Sequence, residues 1–395
     1  MSAMRFARFV LLLLHAVILS LGFVKAFEIA VLDQLGYISR PMGLVWLCSA
    51  LLFAIAAGLV VADRESWWLP AALGIVSSTF VIVASWEEAK AGLVVNVIIL
   101  PWVFAHALGH APGSFRSRYA RAVRDHVRAN AMQPRTVTEA DLAHLPEPVS
   151  DYLRFAGVVG RPNVSNYRYR LDMALRESPG GPYLRGVADQ HNFVDPPARF
   201  FFYGATKLGF PIQAYHRYVG PHAVFNVRLA SVLQVVDASG VEMDRAETVT
   251  LFADMCLLAP ATLVDPSIFW ERTGPLTVRG SWSNAGNAIS AVLTFGPDGG
   301  LASFCSDDRG RAEDLAKWGL AEMDPGSAVG SPNRVRWSTT VTKWGALGGQ
   351  MAPLRGHATW HLPGADFTYA EFEVVDREFN TGTLPALSPI GREVG

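Results

Sequence analysis

The chain has 395 residues, 50% of them hydrophobic and only 17% charged, with a mean hydropathy of +0.22 and a formal net charge of -1. Soluble proteins average about 25% charged residues, so an ordinary all-soluble chain is excluded, and the balanced charge argues against a nucleic-acid-binding protein, which would show a basic domain. Cys48, Cys256 and Cys305 form no CxxC pair and no metal-ligand spacing, so neither a disulfide framework nor a structural zinc is expected.

The charge deficit sits in the N-terminal part. A bilayer core takes about 20 apolar residues per helix, and residues 9–24, 42–62, 69–85 and 92–108 supply such runs. Arg8 and Lys25 bracket the first, which reads as an uncleaved helix because three further runs follow it. Trp46, Trp86 and Trp102 lie near span ends, as interface aromatics do. Four spans put Arg5, Arg8, Arg64 and the basic stretch after the fourth span on one side, and Lys25, Arg40 and Lys90 on the other. That bias predicts a multi-pass protein of a bacterial inner membrane with both termini cytoplasmic.

Polar groups in such a block are costly and face its interior or a cavity. His15, Asn96 and His106 fall within spans, and Glu88 and Lys90 at the mouth of the fourth. With Lys25 and Trp86, the residues His15, Glu88, Lys90 and Asn96 are candidate ligand contacts, for a proton or a quinone-type molecule. Interhelical hydrogen bonding and interface charge are the plainer account of the same residues. Pro101 predicts a kink in the fourth helix.

Residues 115–135 carry Arg116, Arg118, Arg121, Arg124, Arg128 and Arg135 against a single Asp125. Arg121, Arg124 and Arg128 share one helical face. A basic helix leaving a membrane attracts anionic headgroups by about 1 kcal/mol per basic residue, so Arg116, Arg118, Arg121, Arg124 and Arg128 are candidate membrane-surface residues.

Beyond this stretch the chain reads as soluble and rich in strands. Residues 138–157 form a helical lead-in broken by Pro146 and Pro148, with an apolar stripe of Val149, Tyr152, Leu153 and Ala156. From Tyr167 to Arg176 apolar and polar residues alternate with period two. Further strands are expected over 183–193, 198–207, 212–219, 222–229, 276–282, 288–295, 301–307, 334–344, 355–362 and 366–375. A helix over 248–258 follows Asp244 and Glu247 at capping-box spacing, and a loop or short helix is expected over 311–331. The short gaps favour antiparallel neighbours. The expected fold is an N-terminal four-helix transmembrane bundle plus an α+β soluble domain: ten or eleven strands in a large curved antiparallel sheet or half-barrel, with a helical insertion on its concave side. The expected divisions are 1–112 for the bundle, 113–137 for a basic juxtamembrane helix, 138–380 for the β-rich domain and 381–395 for a flexible tail.

No phosphate loop, dinucleotide fingerprint, zinc-protease or serine-hydrolase motif appears. His357 and His361 would stand about 13 Å apart on a strand, too far for one metal. Asp189 and His191 share a strand face with Arg185, and together with His216 these four are candidate pocket residues; a polar outer face of the sheet is the plainer account. Asp307 and Asp308 read as a solvated turn. No catalytic residue, metal or cofactor is expected.

In the membrane block His15, Gly22-Phe23-Val24-Lys25-Ala26-Phe27, Gln34-Leu35, Ile38-Ser39-Arg40-Pro41, Trp46-Leu47, Ser85-Trp86, Ala89-Lys90 and Asn96-Val97-Ile98-Ile99-Leu100 form one pattern. Leu145-Pro146-Glu147-Pro148-Val149, Tyr152-Leu153-Arg154, Gly157-Val158-Val159-Gly160, Asp195-Pro196-Pro197, Val235-Val236-Asp237-Ala238-Ser239-Gly240 and Glu242-Met243-Asp244 continue it. The chain thereby resembles an uncharacterised bacterial membrane-protein family, a domain of unknown function, across nearly its whole length. That family's pattern has Asp where this chain has Glu88. The resemblance implies no activity. The half-barrel is similar in outline to lipoprotein-carrier folds that bind acyl chains, and the helix block resembles small membrane proteins of quinone or sulfur redox chemistry. The expected function is therefore non-catalytic binding of a hydrophobic or lipid-like ligand, or of a membrane partner. The alternative is a redox or quinone-linked component using the polar residues of the helix block.

Overall fold

A computed structural model describes residues 2–32, 35–129, 135–309, 334–362, 364–384 and 387. The loop expected over 311–331 and most of the tail lie outside these.

The apolar runs form helices α1 (Ala3–Ala26), α2 (Arg40–Val61), α3 (Trp68–Ala84), the short α4 (Trp86–Ala89) and α5 (Ala91–His110). Ser2 and Ser39 cap α1 and α2 through their hydroxyls, and Pro41 sits where a missing N–H costs nothing. Among the described residues, four helices are long and apolar enough to cross a membrane. Small residues set their spacing: a Cβ at Gly22 would overlap the Trp46 ring, and one at Gly43 the Ala26 methyl. Leu14, Val17, Leu73, Val76, Phe80, Val94 and Val97 point outward and exposed. A belt of this kind is what an apolar solvent would cover.

Arg5 ties the start of α1 to the end of α2, donating to the Val60 and Val61 carbonyls at 2.7 Å each and pairing with Asp63 at 2.9 Å. The N-terminus and the exit of α5 thus share one end of the bundle. That end leads into α6 (Phe115–Ala129), whose Phe115, Tyr119, Val123 and Val127 are buried while Arg118, Arg121, Arg124 and Arg128 are exposed.

After α7 (Glu139–Leu142) and α8 (Glu147–Phe155) the first strands run as a meander: β1 (Asn166–Leu175), β2 (Leu184–Phe193), β3 (Ala198–Lys207), β4 (Phe210–Val219), β5 (His222–Leu229) and β6 (Leu233–Ser239). Helix α9 (Val241–Leu258) and a 3-10 turn (Pro260–Val264) then cross to the opposite edge. There β7 (Phe269–Gly274), β8 (Thr277–Asn284), β9 (Asn287–Phe295), β10 (Leu301–Ser306), β11 (Trp337–Leu347), β12 (Gln350–Leu362) and β13 (Ala365–Phe379) return to the middle, where β13 pairs with β1. Among the described residues this is one antiparallel sheet of 13 strands, curved and not closed. Register shifts in five strand pairings beyond the β1–β13 one, and in that one between Arg170 and Leu171, add bend.

The sheet exceeds the expected ten or eleven strands because both edges were missed. β6 and β7 are mostly exposed on both faces, so neither shows the alternation that marks a half-buried strand. Asp244 is a second correction. The helix starts earlier than its spacing with Glu247 implied, with Gly240 at the cap position, and Asp244 lies inside it, accepting from the Ala223 N–H of β5 at 2.6 Å. The cap expected there is a clamp between helix and sheet.

Candidate functional site

Helix α9 fills the concave side of the sheet. From Ala246 to Leu258 all but Asp254 are buried, as befits a helix enclosed on every side. Phe252 lies against Trp282, Trp270 and Phe304, with centroids 5.9, 6.3 and 5.7 Å away. Tyr152 of α8 and Tyr169 of β1 donate to the α9 carbonyls of Cys256 and Leu258, at 2.8 and 2.6 Å. Those bonds satisfy C-terminal carbonyls that a helix leaves open.

A charged cluster lies beneath this helix. Arg199 of β3 donates through Nε to Asp254 at 2.7 Å and through Nη1 to Glu247 at 3.2 Å. Gln190 and Asn192 of β2 donate to the same Asp254 oxygen at 2.7 and 3.0 Å, and Asn192 also reaches the Tyr167 hydroxyl at 2.9 Å. His216 of β4 brings Nε2 to 3.2 Å from Glu247 without hydrogen-bond alignment, so the two atoms remain unsatisfied. Burial raises the Asp254 pKa, and Arg199 only partly offsets it. Burial works against the Arg199 charge, yet Asp254 and Glu247 outweigh it and hold its proton more tightly than usual. Burial, then Arg199 and Arg309, depresses His216 well below the ordinary imidazole range. The cluster is therefore one guanidinium between two carboxylates of α9 beside a neutral imidazole, and it fastens the helix into the sheet.

The outer face carries a second polar set under α6. Arg168 pairs with Asp189 at 3.0 Å, both essentially unexposed, and His191 shares a 3.2 Å bond with Asn166. Burial, then Arg168 and His126, takes the His191 pKa down to about 3. Tyr119 packs on Phe202, and His126 on Phe200 and Phe193. The alternation that put Asp189 and His191 on one face holds, and Arg185, exposed, lies along the same side. His216 does not join them: it faces α9, with the sheet between. Helix α6 is likewise docked on the sheet through its apolar stripe, which leaves Arg118, Arg121, Arg124 and Arg128 on its exposed face.

The junction with the bundle is the β3–β4 hairpin. Leu208 and Gly209 both take positive φ, 53° and 78°, the turn type that suits a two-residue hairpin. A Cβ at Gly209 would sit 3.0 to 3.3 Å from Arg8, Trp102 and Met4 of the bundle, so the backbone seats directly on α1 and α5. Phe210 lies against Trp102, and Gln213 donates to the Gly109 carbonyl at 3.4 Å. Glu65, before α3, meets Arg116 and His110 at 3.5 and 3.7 Å. The β5–β6 turn is held beside this seat by the Ala230 N–H, which donates to Pro211 at 2.8 Å. Leu208, Val232 and Leu233 on these two tips are 69%, 59% and 59% exposed.

Residues 135–372, more than half the chain, match a family described as a family of unknown function, DUF6544. The chain belongs to the DUF6544 family. The match covers most of the sheet domain of this DUF6544 protein and leaves out the helix block. No curated protein matches the chain. It is similar to the crystal structure of a DUF1329 family protein from Desulfovibrio piger, at 9% identity and a TM-score of 0.33, over 63% of this chain and 96% of that one. It is also similar to a domain named as an outer membrane lipoprotein-sorting protein from Vibrio parahaemolyticus, at 9% identity and a TM-score of 0.28, over 56% and 87%. Both scores are too low to carry an argument.

In the helix block of the DUF6544 protein, His15 and Asn96 meet. His15 Nε2 is 3.0 Å from Asn96 Oδ1, and the Asn96 amide donates to Ser78 and Thr79 at 2.8 and 3.0 Å. This joins α1, α3 and α5 through hydrogen bonds, as buried polar groups in a bundle do. Lys25, Trp86, Glu88 and Lys90 do not converge on that pair. Lys25 donates to the Leu32 carbonyl at 2.8 Å, Lys90 pairs with Glu87 at 3.4 Å, and the Glu88 carboxylate lies against Gly36, all at the end far from the sheet domain. Lys25 is ten residues along α1 from His15, about 15 Å at a helix's rise. Among the described residues no three His, Cys, Asp or Glu side chains are grouped to hold a metal ion.

Sequence reasoning missed Arg199, Glu247 and Asp254. One signal was present: Glu247 and Asp254 are seven residues apart on one helical face, and Asp254 is the one charged residue between Thr248 and Leu258.

Proposed function

We propose that this is an inner-membrane protein with both termini cytoplasmic, whose curved-sheet domain holds its β3–β4 and β5–β6 tips in the bilayer interface and receives a lipid-like ligand there. The carrying observation is the rim of Leu208, Val232 and Leu233, exposed beside the hairpin seated on the bundle. A leucine held at positive φ is a costly choice for a water-facing turn, and one that dips into lipid gives the side chain a use. Arg5, Arg8, Arg64 and Arg116 gather at that end of the bundle, which favours a cytoplasmic side.

A headgroup position adjoins the rim. Arg228 lies 4.2 Å over the Phe115 ring, and Arg118 lies 5.9 Å from the same ring. Burial, then the Arg118 charge, lowers the Arg228 pKa, and an anion between two like charges relieves that repulsion. The ligand class is therefore an anionic phospholipid.

Native mass spectrometry of the full chain, purified in mild detergent with mixed zwitterionic and anionic lipid, tests this. Retained anionic lipid is expected, reduced at least fivefold when Arg118 and Arg228 are both changed to Gln. Equal retention by the double variant, or no lipid on either protein, would remove the proposal.

A further inference from the structure

A second array lies on the other half of the sheet, at the strand ends that share a rim with the β3–β4 tip. Ser338 is the second residue of β11, His361 is next to last in β12, and Asp366 is second in β13. The three are brought together by register: His361 stands directly opposite Asp366, and Ser338 opposite Thr359, two residues before His361 on the same face. Ser338 Oγ is 2.9 Å from His361 Nε2, and His361 Nδ1 is 2.8 Å from Asp366 Oδ1.

The atoms fix the proton positions. A carboxylate only accepts, so Nδ1 carries the hydrogen and donates to Asp366. That leaves the Nε2 lone pair as acceptor for the Ser338 hydroxyl. This is the order of contacts by which a histidine, oriented by an acid, acts as base toward a serine. His361 and Asp366 side chains are 32% and 65% exposed while Ser338 is buried at 7%, so the array opens to solvent from the Asp366 side with the serine at its inner end. Arg336 adjoins it: its carbonyl accepts from the His361 N–H at 2.9 Å, and its guanidinium is held by Asp307 at 2.8 and 3.1 Å.

We propose that Ser338, His361 and Asp366 form a nucleophilic site for small carboxylic esters delivered from solvent. Ser338 Oγ attacks the ester carbonyl carbon as its proton passes to His361 Nε2. The ester C–O bond then breaks, and the leaving alcohol takes that proton. Water, deprotonated in turn by His361, cleaves the acyl-serine to the acid and restores the hydroxyl. Ester and water become acid and alcohol, with no other reactant. Asp366 is a positioning residue. This site does not depend on lipid binding at the Leu208 rim.

Full-length protein in detergent is treated with a fluorophosphonate, and the adduct is located by peptide mass spectrometry. The expected result is a single adduct on Ser338, absent in S338A, and at least tenfold slower in H361Q and D366N. Hydrogen bonding that served the sheet alone would move none of these readouts. No adduct at a reagent concentration that labels a serine hydrolase overturns the proposal, and so does equal labelling in H361Q.

Discussion

Replacing Arg199 with Met is expected to release α9 from the sheet. The substitution keeps side-chain volume and removes the only guanidinium bonded to Asp254 and Glu247 among the described contacts. Two carboxylates are then left facing each other in a buried site. Breaking a buried ion pair from one side costs about 3–5 kcal/mol, a large share of the roughly 5–15 kcal/mol that holds a domain together. Cys256, on α9 and fully buried, reports the opening. Its modification by a maleimide, followed by mass spectrometry of its peptide, should accelerate by about 10²–10³-fold. The defect should depend on pH with a definite sign. The folded-state pKa of Asp254 is already raised above its ordinary 3.8, and losing Arg199 raises it further. A raised folded pKa gives stability that is complete below the unfolded value and lost as pH rises through the folded one. The variant should therefore lie closest to wild type near pH 4 and furthest from it above neutrality. A pH-independent defect, or unchanged Cys256 protection, would mean that the cluster does not hold the helix.

Phe252→Ala should cost a similar amount for a different reason. The ring is wholly buried among Trp282, Trp270 and Phe304, and Gly280 is kept small where a Cβ would press on Phe252 and Trp270. Removing a buried phenylalanine costs about 3–5 kcal/mol when neighbours cannot close the gap, and strands on either side of α9 limit that closure. Denaturant unfolding of the full chain, followed at Cys256, should show a lowered midpoint with an unchanged slope. A loss under about 1 kcal/mol would show a site free to collapse.

The parts of the fold legible in the sequence were those set by local pattern. Four apolar runs gave four helices, and period-two alternation from Tyr167 placed β1 almost to the residue. Edge strands were not legible, because β6 and β7 lack a dry face. Nor was the pairing of β1 with β13, since nothing local records which strands meet after a crossover of the whole domain. The same limit governed the site. Alternation put Asp189 and His191 on one face correctly, but the face taken by His216 depends on register across two further strands. Arg199 meets Asp254, and Ser338 meets His361, only through tertiary placement, so a motif search passes over both.

The central proposal is that the β3–β4 and β5–β6 tips lie in the bilayer interface. The direct measurement is the depth of a nitroxide placed singly at position 208, 233 or 276 of the full chain in proteoliposomes, read by its accessibility to oxygen and to a water-soluble nickel chelate. Labels at 208 and 233 should favour oxygen, as groups in the lipid interface do, whereas the label at 276, also on an exposed leucine but on the β7–β8 turn, should favour the chelate. Water-like accessibility at all three positions would contradict the account and leave the exposed leucines of the rim without the partner assigned to them.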